Sequence, residues 1–191
     1  MTLSPDRLAS LLIALLLACF ESSSQARADC RQGCSDTASA NTFLGEDALF
    51  NNTTGINSTA VGFEALHLNT DGFANTAIGV NTLHSNTTGY HNVAAGLDAL
   101  CSNTIGIWNT ALGGFALYSN TVGGYNTATG SGAFENNTQG AGNTATGWGA
   151  LGTNTIGTSN TAVGYNALYD NGRGSFSIAL GNEAPQNRTA T

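Results

Sequence analysis

His67, His84 and Cys101 follow one another at steps of 17 residues. Two imidazoles and a thiol are ligands for zinc or copper. A fold that stacks positions 17 apart would set all three along one ridge. The same row continues to Phe50, Tyr118 and Glu135, which fits a variable surface row holding histidines by accident. His91 stands in a different row. Asp47, Glu64, Asn81 and Asp98 repeat at the same step, and carboxylates in line are calcium chemistry. Calcium-binding solenoids, however, use glycine-rich nonapeptides with a regular Asp, which this chain does not contain. These acids read as solvated surface groups. No acid pair can be singled out for glycoside hydrolysis, and the chain has no Gly-x-Ser-x-Gly, P-loop or His-Glu-x-x-His pattern. The expectation is a non-enzymatic protein without a cofactor.

What would position these rows is an internal repeat. Gly45, Gly62, Gly79, Gly96, Gly113, Gly130, Gly147, Gly164 and Gly181 stand 17 residues apart. A second glycine series runs from Gly55 to Gly174 at the same step, and Ala and Leu columns lie between the two. The consensus is N-T-A-V-G-x-x-A-L-x-x-N-T-x-G-x-x, repeated nine times with the last copy incomplete. Each unit holds two short β-compatible stretches, N-T-A-V and A-L-x-x, separated by glycines and Asn-Thr pairs that suit turns. One coil of a parallel β-solenoid per repeat satisfies this pattern. The predicted fold is therefore all-β, a parallel β-solenoid of nine 17-residue coils over residues 41–184. Equivalent residues then stack about 4.8 Å apart. Asn75 to Asn160 and Asn69 to Asn171 become amide ladders, and the repeat glycines fall where the coil turns with positive φ or where backbones meet.

Side chains alternate along the first strand. One face carries Ala60, Ala77, Ala94, Ala111, Ala128, Ala145, Ala162 and Ala179; the other carries Val61, Ile78, Ala95, Leu112, Val163 and Leu180, with Thr129 and Thr146 as exceptions. A strand apolar on both sides is buried on both. The coil interior takes one side, and the second points to oligomerisation. Thr53 to Thr155 form an unbroken row over seven coils, and a second Thr row beginning at Thr42 is interrupted at Val93 and Ile178. Flat Thr ladders resemble ice-binding surfaces; they also suit β-structure, with hydroxyls bonding along the ladder. Phe73, Tyr90, Trp108, Tyr125, Trp148 and Tyr165 are scattered near turns, as adhesive contacts or as packing.

The chain has 191 residues, a formal charge of −7 and 9% charged residues, against about 25% in typical domains. No cation lies between Arg31 and Arg173, while eight acids do, which argues against nucleic acid or anionic lipid as a partner. Residues 1–28 read as a secretory signal, with Arg7 ahead of the apolar run Leu8–Phe20 and small residues at the cleavage positions. Leu16-Leu17-Ala18-Cys19 alternatively resembles a lipobox, which would make an outer-membrane lipoprotein through Cys19. Residues 29–40 read as a linker and 185–191 as a tail. In an oxidising compartment Cys30 and Cys34 could close a small loop, leaving Cys101 unpaired.

Ser177-Ile-Ala-Leu-Gly-Asn-Glu-Ala184 resembles the head repeat of trimeric autotransporter adhesins of the YadA type, and Asn75-Thr-Ala-Ile-Gly79 and Asn160-Thr-Ala-Val-Gly164 resemble its Asn-Thr variant. The likeness covers about Asn41 to Ala184. It implies a left-handed β-roll, three chains around one axis, secreted and displayed for attachment to an extracellular ligand such as a matrix protein, a polysaccharide or a cell surface. The period of 17 is longer than the usual head repeat, and neither a heptad stalk nor a barrel anchor follows within the sequence. The functional expectation is a passive, multivalent adhesive rod. An ice-binding solenoid and a shaft module of a phage- or appendage-type fibre are the alternatives.

Overall fold

The computed structural model describes residues 34–36 and 39–184, which belong to one unit, Gln32–Thr191. The expected signal at 1–28, Cys19, the Cys30–Cys34 pairing and the tail at 185–191 lie outside the described residues. Ten strands form one sheet in sequence order. They are β1 (Cys34–Asp36), β2 (Asn41–Leu44), β3 (Thr59–Val61), β4 (Thr76–Ile78), β5 (Val93–Ala95), β6 (Thr110–Leu112), β7 (Thr127–Thr129), β8 (Thr144–Thr146), β9 (Thr161–Val163) and β10 (Ile178–Leu180). The nine strands β2 to β10 are parallel, and each pairs with the next at an offset of 17, as in Thr59↔Thr76 and Ala60↔Ala77. No helix occurs among the described residues. The chain is a parallel β-solenoid, as its period predicts. β1 falls within the stretch read as a linker and runs antiparallel to β2, with Cys34 opposite Phe43. It covers the backbone edge that a first coil would otherwise leave open.

The strand Ala column points inward, fully buried from Ala60 to Ala162. The glycine after each strand has φ between 120° and 138°, a region L-residues rarely enter. A Cβ on Gly113 would stand 2.6 Å from the carbonyl of Gly130 in the next coil. The second glycine series has ordinary φ, and crowding alone holds it. A Cβ on Gly123 would meet the Gly140 carbonyl oxygen and the Asn137 amide at 2.5 and 2.7 Å.

The stretch A-L-x-x is not a second strand. In the coil that begins at Gly62, the residues Gly62, Glu64 and Leu66 have positive φ, alternating with ordinary ones. The alternation curls the chain tightly while its amides still reach neighbouring coils: Leu66 N–H donates to Thr82 O at 3.0 Å and Glu64 N–H to Glu46 O at 3.0 Å. A left-handed non-glycine residue costs about 1–2 kcal/mol. Burying a leucine contributes about 1.5–3 kcal/mol, and Leu66, Leu83, Leu100 and Leu117 are completely buried. Burial therefore outweighs strain at the Leu column, where Phe134 takes the same role.

Two Asn columns complete the interior. The amide of Asn109 donates to Asn92 Oδ1 at 3.2 Å and to Gly123 O at 2.9 Å, and its own Oδ1 accepts the backbone N–H and side-chain amide of Asn126. The pattern repeats along the column to Asn160, with Ser58 and Ser177 in place of Asn near its ends. In the second column each amide from Asn69 to Asn137 donates to the Asn one coil earlier. Asn171 Oδ1, at the end of that column, is buried without a partner. The core is thus apolar on the Ala and Leu sides and hydrogen-bonded at the corners, except at the Asn171 end of the second column.

Candidate functional surface

With the interior filled, chemistry is left to the outward columns. The ridge Phe50–His67–His84 is a stack. Phe50 and His67 have ring centroids 5.5 Å apart and planes 5° apart; His67 and His84 are at 5.2 Å and 7°. Imidazole lone pairs lie in the ring plane, so two parallel rings do not converge on one ion at the roughly 2 Å that a zinc–nitrogen bond requires. His67 Nδ1 lies 3.2 Å from Asp47 O, and His84 Nε2 lies 3.4 Å from Glu64. Burial first, and then the negative charges of Asp98 and Glu64, push the Cys101 thiol up to about 11. It is therefore a protonated thiol at neutral pH. Among the described residues no group of three His, Cys, Asp or Glu side chains is placed to hold a metal.

The column of Asp47, Glu64, Asn81 and Asp98 is a backbone feature. All four have left-handed φ, from 53° to 58°, and the column continues through Phe115, Gly132, Gly149, Asn166 and Glu183 in the same conformation. Asp, Asn and Gly are the residues that tolerate it. The signal that finds this from sequence is the Asx/Gly enrichment itself, read as conformation and not as ligation. Within the column, the Asn81 amide donates to Asp98 at 3.0 Å.

The two Thr rows behave differently. Hydroxyls of the row from Thr53 to Thr138 donate to the carbonyl one coil on, at 3.0–3.1 Å. At one end Thr53 and Thr54 also donate to Asp71, which holds that exposed carboxyl below its ordinary value. In the strand row, the hydroxyls of Thr59, Thr76, Thr110, Thr127, Thr144 and Thr161 have no such partner. Beside them the outward column Val61, Ile78, Leu112, Val163 and Leu180 forms the expected apolar stripe; Ile78 is 47% exposed, Leu112 40% and Leu180 68%. Phe63, Val80 and Leu97, two positions after that column, widen it.

Aromatic rings collect on the opposite side of the strand. Phe73 stacks on Tyr90 at 4.7 Å, and His91 stacks on Trp108 at 4.1 Å. Phe73 and Tyr90 both meet His91 edge-on. On the stripe side, Trp148 stacks on Tyr165 at 5.1 Å.

Fold and surface together define a β-solenoid repeat protein with two chemically distinct flanks. Compared with family models, curated proteins and solved structures, the chain matches none. No helix among the described residues is long and apolar enough to cross a membrane.

Proposed function

We propose that this chain is a secreted or surface-displayed adhesive solenoid that assembles as a homotrimer and attaches by many weak contacts at once. The apolar stripe on the outer strand face carries the reading. Covering what is still exposed of Val61, Ile78, Leu112, Val163 and Leu180 contributes about 1 kcal/mol each, several kcal/mol per chain. Three-fold closure covers the stripe on every copy, as the resemblance to YadA-type heads implies. A regular rod then repeats its remaining outer columns three times over, and avidity multiplies weak sites. The role needs no catalytic group and no cofactor. Light scattering tests the assembly: a trimer is expected, and Leu112→Asp is expected to dissociate and unfold it together. A β-rich species of single-chain mass would overturn the trimer. Retention of the protein on extracellular matrix, polysaccharide or whole cells tests the attachment itself.

Ice binding is the second reading. The unpartnered outward hydroxyls of the strand Thr row, spaced one coil apart, favour it. Thermal hysteresis would select it over adhesion.

A further inference from the structure

The aromatic corner before the strand has a feature that packing does not explain. His91, Trp108 and Tyr125 occupy one column in three successive coils, all left-handed, with φ of 55°, 56° and 59°. Bulky residues in that conformation are outliers costing about 1–3 kcal/mol each. At the Leu column burial offsets the strain; here Trp108 is 49% and Tyr125 60% exposed. Successive rings stack elsewhere on this corner, yet Trp108 and Tyr125 make no such stack. A small residue opens the space beside them. Gly142 follows Tyr125 in the column, and a Cβ there would meet nothing nearer than Ser159 at 3.8 Å.

The result is a notch with an exposed indole and an exposed phenol, bordered by Tyr90 and His91. The polar tips of these four side chains have no protein partner. Such rings offer apolar faces to the C–H faces of a pyranose, and their tips offer hydrogen bonds to its hydroxyls. Charge narrows the ligand further, because no lysine or arginine lies between Arg31 and Arg173 to meet a carboxylate or sulfate. The coil step of about 4.8 Å is close to the length of one sugar ring.

We propose that the Trp108–Tyr125 notch binds a neutral polysaccharide. The inference rests on the adhesive reading and names its ligand class. Affinity electrophoresis of the full chain through native gels containing hydroxyethylcellulose, glucomannan or dextran tests it, with alginate as the anionic comparison. At least one neutral polymer is expected to retard the protein, and alginate is not. Trp108→Ala and Tyr125→Ala should each weaken the apparent affinity by about tenfold or more, the size expected for an aromatic anchor. Gly142→Trp keeps both rings but extends the column over the Tyr125 face, and should weaken binding as much. Eight other described positions of that column carry side chains in the same backbone conformation, so the variant folds. Trp148→Ala on the opposite flank should leave retardation unchanged. Equal retardation of all four variants, retardation by alginate alone, or none by any neutral polymer overturns the proposal. If the chain still attaches to cells or matrix in that event, the adhesive reading stands without it. If the chain is retarded but attaches to nothing, the adhesive reading fails and the notch remains.

Discussion

Trp108 and Asn109 are neighbours in sequence, and the fold asks opposite things of them. Asn109 sits in a column where all nine coils carry an Asn or Ser, and it is completely buried. Trp108 sits in a column that runs Asn57, Ala74, His91, Trp108, Tyr125, Gly142, Ser159, Phe176, where the backbone is constant and the side chain is free to differ. Stacking makes an inward residue answer to copies of itself above and below, so inward columns are uniform. An outward residue answers to solvent or to a partner. Variation between coils is therefore where specificity can reside, and uniformity is where stability does.

The largest effect separating the two regions is expected at Gly113. Gly113→Val places a β-branched residue at φ 134°, with its Cβ 2.6 Å from the Gly130 carbonyl group. Backbone strain and the clash together should cost about 3–5 kcal/mol, seen as a fall in melting temperature of roughly 10 °C. An unchanged melt would mean that the coils are not packed at this spacing. Asn109→Ala comes next. It takes the acceptor from the buried Asn126 backbone N–H, one of two donors from Gly123 O, which keeps Asn120, and one of two acceptors from the Asn126 side-chain amide, which keeps Gly140 O. Leaving the Asn126 N–H unpaired and losing the other buried bonds should cost about 2–4 kcal/mol, whereas Trp108→Ala one residue away loses only a ring stack worth about 1 kcal/mol. Thermal melts of the two variants side by side test the contrast, and equal losses would erase the distinction between inward and outward columns.

This division also explains what was legible in the sequence. Uniform columns announce themselves: the glycines from Gly45 to Gly181, the Ala and Leu columns and both Asn ladders could be read from the 17-residue period, and the parallel register follows. The A-L-x-x stretch misled because Ala and Leu carry no mark of a left-handed backbone. The information lay two residues after the glycine, in Asp47, Asn81, Asp98, Gly132, Gly149 and Asn166. β1 had no repeat behind it and so left no periodic trace. The ring stacks depend on rotamers, which spacing does not specify; only the membership of Phe73, Tyr90 and Trp108 in neighbouring columns was visible.

The smallest effect is expected on the Phe50–His67–His84 ridge. His67 and His84 stack with parallel planes, and the Cys101 thiol titrates at about 11. A raised thiol pKa means that the folded chain holds its proton through the range in which a free cysteine, near 8.5, gives it up. Stability is therefore unaffected below that range and declines as the pH rises from the free value towards the folded one. At about pH 8.5 the thiolate fraction of Cys101 is smaller than that of a free cysteine by roughly a hundredfold, and alkylation should be slower in proportion. Iodoacetamide labelling of the Cys101 peptide, followed by mass spectrometry, measures this directly. The rate should climb as the pH nears 11. Zinc should change it by nothing measurable, in the native chain or in His84→Ala, because the stacked rings aim no lone pair at the sulfur. Protection by zinc that His84→Ala abolishes would show that the stack opens to chelate, and would move this ridge from surface variation to binding site.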